Sequence, residues 1–163
     1  MVEEALSTRP ELVHTLIELN GIRQPDLAFQ GAYFSCTEKQ LNQVSTLKTP
    51  NKLLAVVRKP LEQTVDLSGL VLALDGIQDP GNLGTIIRTA DWFGLDQIVV
   101  SADTANCYNP KVVQSTMGSI LRVDVVVADL PEFIQSAKMP IYGAVLEGKS
   151  IQTTELAKEG ILI

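Results

Sequence analysis

Apolar residues fall along the chain in two rhythms. Short, nearly unbroken runs occupy residues 53–57, 70–74, 97–101, 123–127 and 141–146, and Ile161, Leu162 and Ile163 begin another. Runs of this length predict strands, and unbroken ones suit strands covered on both faces. Elsewhere apolar residues recur every three or four positions. Leu83, Ile86, Ile87, Ala90 and Phe93 predict a helix, with Asn82 as its N-cap and Gly94 as its stop. Asn109, Pro110 and Lys111 start a second helix holding Val112, Val113 and Met117, of which Val113 and Met117 are read as packing residues, and residues 131–137 form a short third. Strands alternating with helices imply parallel pairing and right-handed crossovers. Residues 63–163 are therefore expected to form an open parallel α/β sheet with helices on both faces.

Residues 1–62 read as a separate, small α/β unit. Thr8 as N-cap, Pro10 near the first helical position and Glu11 closing a capping box predict a helix. Its buried stripe would be Leu12, Val13, Leu16, Ile17 and Leu19, ended by Asn20 and Gly21. Residues 27–34 form a weak strand-and-turn region, and Ser35 to Glu38 repeats the capping-box pattern for a helix through about Leu47. The strand at 53–57 closes at Arg58, Lys59 and Pro60, and the polar stretch 60–68 is the boundary between the two units.

Candidate chemistry concentrates between Leu70 and Gly94. The strand at 70–74 ends in turn residues, Asp75-Gly76 and Asp79-Pro80-Gly81, before the helix begins. Polar groups therefore stand at the carboxyl end of a strand, the edge where open α/β sheets bind ligands. Arg88 lies six residues beyond Asn82, and its planar, permanently charged fork suits phosphate or carboxylate. Two readings stay open at the level of residues. Arg88 either pairs with Asp91 or Asp79 on a solvated helix face while Asn82 caps, or the two side chains serve a ligand at the loop.

Composition narrows the classes. With 163 residues, 45% of them hydrophobic, the chain can bury a real core. The net charge of −6 argues against a generic nucleic-acid binder. Yet Lys39, Lys48, Lys52, Arg58 and Lys59 occur with no acid among them, a block that either faces phosphate or forms a solvated loop. No apolar run approaches the roughly 20 residues of a membrane span, and the acidic, polar start is not a signal peptide. Cys36, Cys107 and His14 lie too far apart for metal-ligand spacing or a disulfide framework, so a cytoplasmic, metal-free protein is expected. The glycines make neither a dinucleotide fingerprint nor a P-loop, and Ser101, Ser115 and Ser119 lack a histidine partner for hydrolysis.

The run from Asp75 to Gly94, with DPGNLG followed by IRTA and FG, resembles the first signature motif of the SpoU family of RNA 2′-O-ribose methyltransferases, of the knotted SPOUT class. The segment NPKVVQSTMGS resembles the family's second helix, with Thr116 and Gly118 at its polar and small positions. More loosely, Glu4-Ala5-Leu6 and TPNKLLAVVRKP are similar to the RNA-binding domain that precedes the catalytic one. The resemblance implies S-adenosylmethionine as cofactor and rRNA or tRNA as substrate. It implies Asn82 and Arg88 at the catalytic centre, one edge of the cofactor site near Ala144 and Leu146, and RNA contacts from Lys48, Lys52, Arg58 and Lys59. It also implies a homodimer for the full-length protein. The family's two later motifs, which form the knot, would follow Ile163, so the sequence is expected to be truncated at both ends relative to the family. A non-catalytic RNA-binding module derived from such an enzyme is the alternative.

Overall fold

The computed structural model describes residues 1–21, 29–61, 64–150 and 152–163. The chain divides into two compact units, Met1–Leu61 and Glu62–Ile163. The boundary read from sequence, between 62 and 63, falls on two residues outside the described set, as does the start of the 27–34 region.

In the first unit, helix α1 (Val2–Thr8) and a 3-10 turn at Pro10–Leu12 lead into strand β1 (Val13–Leu19). The helix expected after Thr8 is thus a strand. Thr8 caps nothing ahead of it: its hydroxyl donates back to the Glu4 carbonyl at 2.7 Å, which makes it the end of α1. Residues 13–19 then become the central strand between β2 (Ala32–Cys36), parallel to it, and β3 (Leu53–Val57), antiparallel. Pairing on both edges overrides a helical period that a seven-residue segment cannot enforce by propensity. Helix α2 (Glu38–Val44) is capped by Thr37 and Gln40, not by Ser35, and ends before Leu47. Ser35 lies in β2 and donates to Asn20 Oδ1 at 2.8 Å.

Glu18 is buried near the carboxyl end of β1, and neither its Oε2 nor the Tyr33 hydroxyl has a hydrogen-bond partner among the described residues. Desolvation first, and the neighbouring Glu18 carboxylate second, push the Tyr33 phenol up to about 12.

The second unit is a parallel sheet of five strands in the order β6-β5-β4-β8-β7. These are β4 (Leu70–Leu74), β5 (Gln97–Val100), β6 (Asp124–Val127), β7 (Ile141–Tyr142) and β8 (Gly160–Leu162). The strand expected at 141–146 is only Ile141–Tyr142, with one further backbone bond from the Ala144 amide to the Ile163 carbonyl before the chain continues as a loop. Helices α3 (Pro80–Trp92) and α4 (Pro110–Ser115) cover one face. There Leu83, Ile87, Ala90 and Val112 pack on Leu74, Ile98 and Val100. Helix α5 (Leu130–Ser136) covers the other, with Leu130, Phe133 and Ile134 against Val71, Ala73, Val99 and Ile161. Alternate residues of β4 and β5 thus serve opposite faces, as an open sheet wrapped on both sides demands.

Gly84 sets the distance between α3 and α4. A methyl group there would strike the Ser115 Cβ and lie 2.8 Å from the Val112 carbonyl oxygen. Gly84→Ala is expected to destabilise the protein by about 1–3 kcal/mol through overpacking. The check is urea unfolding: a lowered midpoint is expected, and a midpoint equal to the parent's would refute the close approach.

Candidate functional site

The strand order reverses its direction of growth between β4 and β8. Crevices outside the carboxyl ends of strands at such a point are the ligand sites of open α/β sheets. Two loops stand there: residues 75–79 after β4, and residues 143–148 after β7, where the Ala144 amide donates to the Ile163 carbonyl at 2.9 Å. With β8 between them, the strands that launch these loops are about 10 Å apart.

The first loop is fastened by one hydroxyl. Gly76, at φ +63°, donates its amide to Ser101 Oγ at 2.8 Å, at the end of β5. Ser101 Oγ donates in turn to Asp103 Oδ1 at 2.6 Å and lies 3.0 Å from Thr104 Oγ1. The Ala105 amide closes the arrangement on the Ile77 carbonyl at 2.9 Å. From sequence Ser101 reads only as a strand end and a nucleophile without a histidine partner. The available signal was local: a serine ending a strand, followed two and three residues later by Asp103 and Thr104, is turn-building chemistry.

Helix α3 begins three residues earlier than Asn82 as N-cap would require. Asp79 is the cap, its Oδ1 accepting the Asn82 amide at 2.7 Å, and Pro80 occupies the first helical position. The Asn82 side chain is therefore spared from capping, exposed on the first turn.

Arg88 is exposed too, and neither carboxylate considered for it is available. Asp79 holds the helix N-terminus. Asp91 turns to Arg122, at 2.6 Å from Nη2, and to the Ser119 hydroxyl at 2.7 Å. Among the described residues no ion pair involves Arg88. Helical geometry sets Asn82 and Arg88 about 9 Å apart along the axis and about 120° apart around it. They share the outer side of α3 with Thr85 between them, and no hydrogen bond joins them.

The Arg122 guanidinium, with help from Ser119, holds the Asp91 carboxyl below its ordinary value of 3.8 against the opposing effect of burial. On α4, Asn109 caps the helix as expected. Thr116 is fully buried, its hydroxyl donating to the Val113 carbonyl at 2.7 Å, and Gly118 takes φ +105°. Met117, expected in the packing, is instead 64% exposed at φ +54°, a conformation that sends its side chain outward.

Ala144 and Leu146 are both exposed, Leu146 completely, and they lie in the loop beyond β7 rather than within a strand. In the first unit Lys48, Lys52, Arg58 and Lys59 are all exposed, but they do not form one cluster. Lys48 and Lys52 precede β3 and Arg58 and Lys59 follow it, so the two pairs are separated by about 20 Å of strand. Among the described residues no group of three or more His, Cys, Asp or Glu could hold a metal ion. Among the described residues no helix is long and apolar enough to cross a membrane.

Residues 69–163 match the SpoU rRNA Methylase family. The chain is 36% identical over 151 residues to the 23S rRNA (guanosine(2553)-2′-O)-methyltransferase RlmP of Bacillus subtilis, covering 90% of this chain and 60% of that protein. Its fold is similar to that of a Porphyromonas gingivalis protein assigned to the TrmH family of RNA methyltransferases. That match has a TM-score of 0.86 at 34% identity, over 99% of this chain and 67% of the other. A second similar structure is an AdoMet-bound rRNA methyltransferase from Sinorhizobium meliloti, with a TM-score of 0.75 at 25% identity, over 93% and 62% of the two chains. The chain thus spans about 60% of the length of the Bacillus relative.

Two outcomes follow from the geometry. Ser101→Ala strands the Gly76 amide, a loss of about 1–3 kcal/mol for a poorly solvated donor. Hydrogen exchange at the Gly76 amide should accelerate more than at Ile98 in the core, and equal acceleration would refute the clamp. The lowered Asp91 pKa is a stability statement with a definite sign: the contribution is complete above the unfolded value near 3.8 and fades as pH falls through the folded value. Acidification below about pH 4 should therefore cost Asp91→Asn less stability than the parent, measured as urea midpoints across the acid range.

Proposed function

The chain belongs to the SpoU rRNA methylase family, and from that premise we propose that it transfers a methyl group from S-adenosylmethionine to a ribose 2′-hydroxyl of rRNA or tRNA. The Bacillus relative, named for 2′-O-methylation of 23S rRNA, favours rRNA. The observation that carries the reading is the state of α3. Among the described residues its guanidinium at Arg88 and its side-chain amide at Asn82 have no hydrogen-bond or ion-pair partner, on a helix that springs from the switch-point edge of the sheet.

When bound, the cofactor supplies a methyl on a sulfonium, which is already a good leaving group. This chain's residues have the lesser tasks of holding the ribose in line and easing loss of the hydroxyl proton. Arg88 takes the phosphate beside the target ribose and stabilises negative charge growing on the 2′-oxygen. Asn82 orients the same nucleotide from the first turn of α3. The loop carrying Ala144, Val145 and Leu146 offers exposed apolar surface at the same sheet edge, which fits one side of an adenosyl group. In the first unit, Lys48 with Lys52 and Arg58 with Lys59 serve as two separate phosphate contacts, not one patch. Action in the cytoplasm and as a homodimer belongs to the same proposal.

Arg88→Ala is expected to abolish transfer of labelled methyl to RNA while leaving the melting temperature nearly unchanged, since an exposed side chain without partners contributes within about 0.5 kcal/mol. Full activity in that variant overturns the assignment. Calorimetric titration with S-adenosylmethionine separates the enzyme from a non-catalytic RNA-binding module: RNA binding with no cofactor heat favours the module.

A further inference from the structure

The turn from β4 into α3 leads directly to Asn82, and it is held from outside itself. Two consecutive residues of the turn are tied to the chain after β5. The Gly76 amide donates to Ser101 Oγ at 2.8 Å, and the Ile77 carbonyl accepts the Ala105 amide at 2.9 Å. Only Gln78 then stands between this clamped pair and Asp79, the residue that caps α3. One residue brings two soft dihedrals, so a displacement at Gly76 reaches the first turn of the helix with little slack.

The far side of the clamp is as fixed as the near side. Ser101 is 8% exposed, and its own amide donates to the Leu74 carbonyl at 3.0 Å, which joins the ends of β4 and β5. A hydroxyl has one proton to give and two lone pairs with which to accept. Ser101 Oγ gives its proton to Asp103 Oδ1 at 2.6 Å. The Thr104 hydroxyl, 3.0 Å away, must therefore be a donor to Ser101, and the Gly76 amide takes the remaining lone pair. Every capacity of the hydroxyl is used, and Asp103 decides the direction: the proton is drawn away from the turn, and a lone pair is left facing Gly76. A hydroxyl bonded to a carboxylate at this length makes a strong, charge-assisted bond. Gly76 is confined as well by its own backbone, since at φ +63° a side chain would be strained and its Cβ would lie 3.3 Å from Asp103 Oδ2. Filling the core at 101 needs no hydroxyl, and burying one costs free energy unless it is paired. The turn is what this hydroxyl serves.

We propose that Asp103, acting through the Ser101 hydroxyl, is a positioning residue for methyl transfer: the pair fixes residues 75–79 and with them the place from which Asn82 meets the nucleotide. The inference rests on the role given to Asn82 under the proposed function and extends it to two residues that act only through another. In-line transfer is sensitive to such a device, because a misplacement of about 1 Å costs about 100-fold in rate. The surface proposed for the cofactor follows β7, a different strand, so its affinity is spared.

Asp103 belongs to neither core cluster, so its replacement leaves the packing intact. Each variant is assayed at a temperature at which it is folded. Asp103→Ala should lower kcat for methyl transfer to RNA about 10-fold and Ser101→Ala about 100-fold, with KM for S-adenosylmethionine within about twofold. Asp103→Asn keeps an acceptor for the hydroxyl proton and should restore most of the rate. Phe133→Ala loosens the core on the opposite face of the sheet, and should lower the urea midpoint while leaving kcat alone. A second readout needs no catalysis: the NMR resonances of the Asn82 side-chain amide should move in Asp103→Ala and Ser101→Ala and stay in place in Phe133→Ala. Unmoved resonances in both clamp variants, or a kcat equal to the parent's, overturn the proposal. So does a loss in Asp103→Asn as large as in Asp103→Ala, which would assign the effect to charge and not to the hydrogen bond. The two readings fail separately. Unmoved resonances, with transfer that Asn82→Ala abolishes, sink the clamp alone. Moved resonances, with full transfer by Asn82→Ala, sink the role of Asn82 alone.

Discussion

Double burial of β4 is the constraint from which the rest of the second unit follows. The strand is paired with β5 on one edge and β8 on the other. Its side chains divide between two cores, Leu74 toward α3 and α4, Val71 and Ala73 toward α5. Covering a Val, Leu or Ile side chain fully is worth about 1.5–3 kcal/mol, so neither face can be given up cheaply. The chain must therefore leave β4 at its carboxyl end, turn within a few residues and lay α3 back on the sheet. Gly76 at positive φ and the Ser101 hydroxyl make that turn possible without a stranded amide.

The same packing decides how the charges of α3 are used. Asp79 is committed to the helix N-terminus, and Asp91 to Arg122 and Ser119, which tie α3 to the segment after α4. With both acids spoken for inside the unit, no ion pair to Arg88 is found among the described residues. The anion recognition proposed for Arg88 would thus be a by-product of two structural hydrogen-bond choices made elsewhere on the helix. The first unit is organised differently. Its small sheet buries Glu18 beside Tyr33 and holds its cations at the two ends of β3.

Local signals served well where burial and period agreed. Residues 70–74, 97–100 and 124–127 were legible as strands because continuous apolar runs have few alternatives, and α3 because its inner residues keep helical spacing over more than three turns. They failed where a short segment satisfied two periods at once. Leu12, Val13, Leu16, Ile17 and Leu19 fit a helix stripe, yet β-branched Val13, Thr15 and Ile17 fit equally well in a strand paired on both sides. Caps slipped by two or three residues, from Ser35 to Thr37 and from Asn82 to Asp79, because several good capping residues stood close together.

By itself the sequence determined the alternating α/β character of residues 63–163, the strand–turn–helix from Leu70 to Gly94, and the resemblance carried by that motif. These depend on residue type and spacing along the chain. The tertiary structure alone decided the insertion of β8 between β4 and β7, the tie of Ser101 to Gly76 across 25 residues, and the pairing of Asp91 with Arg122 rather than Arg88. Each is a choice among partners distant in sequence, and such choices are made by which surfaces can be buried together, a property that no local pattern encodes.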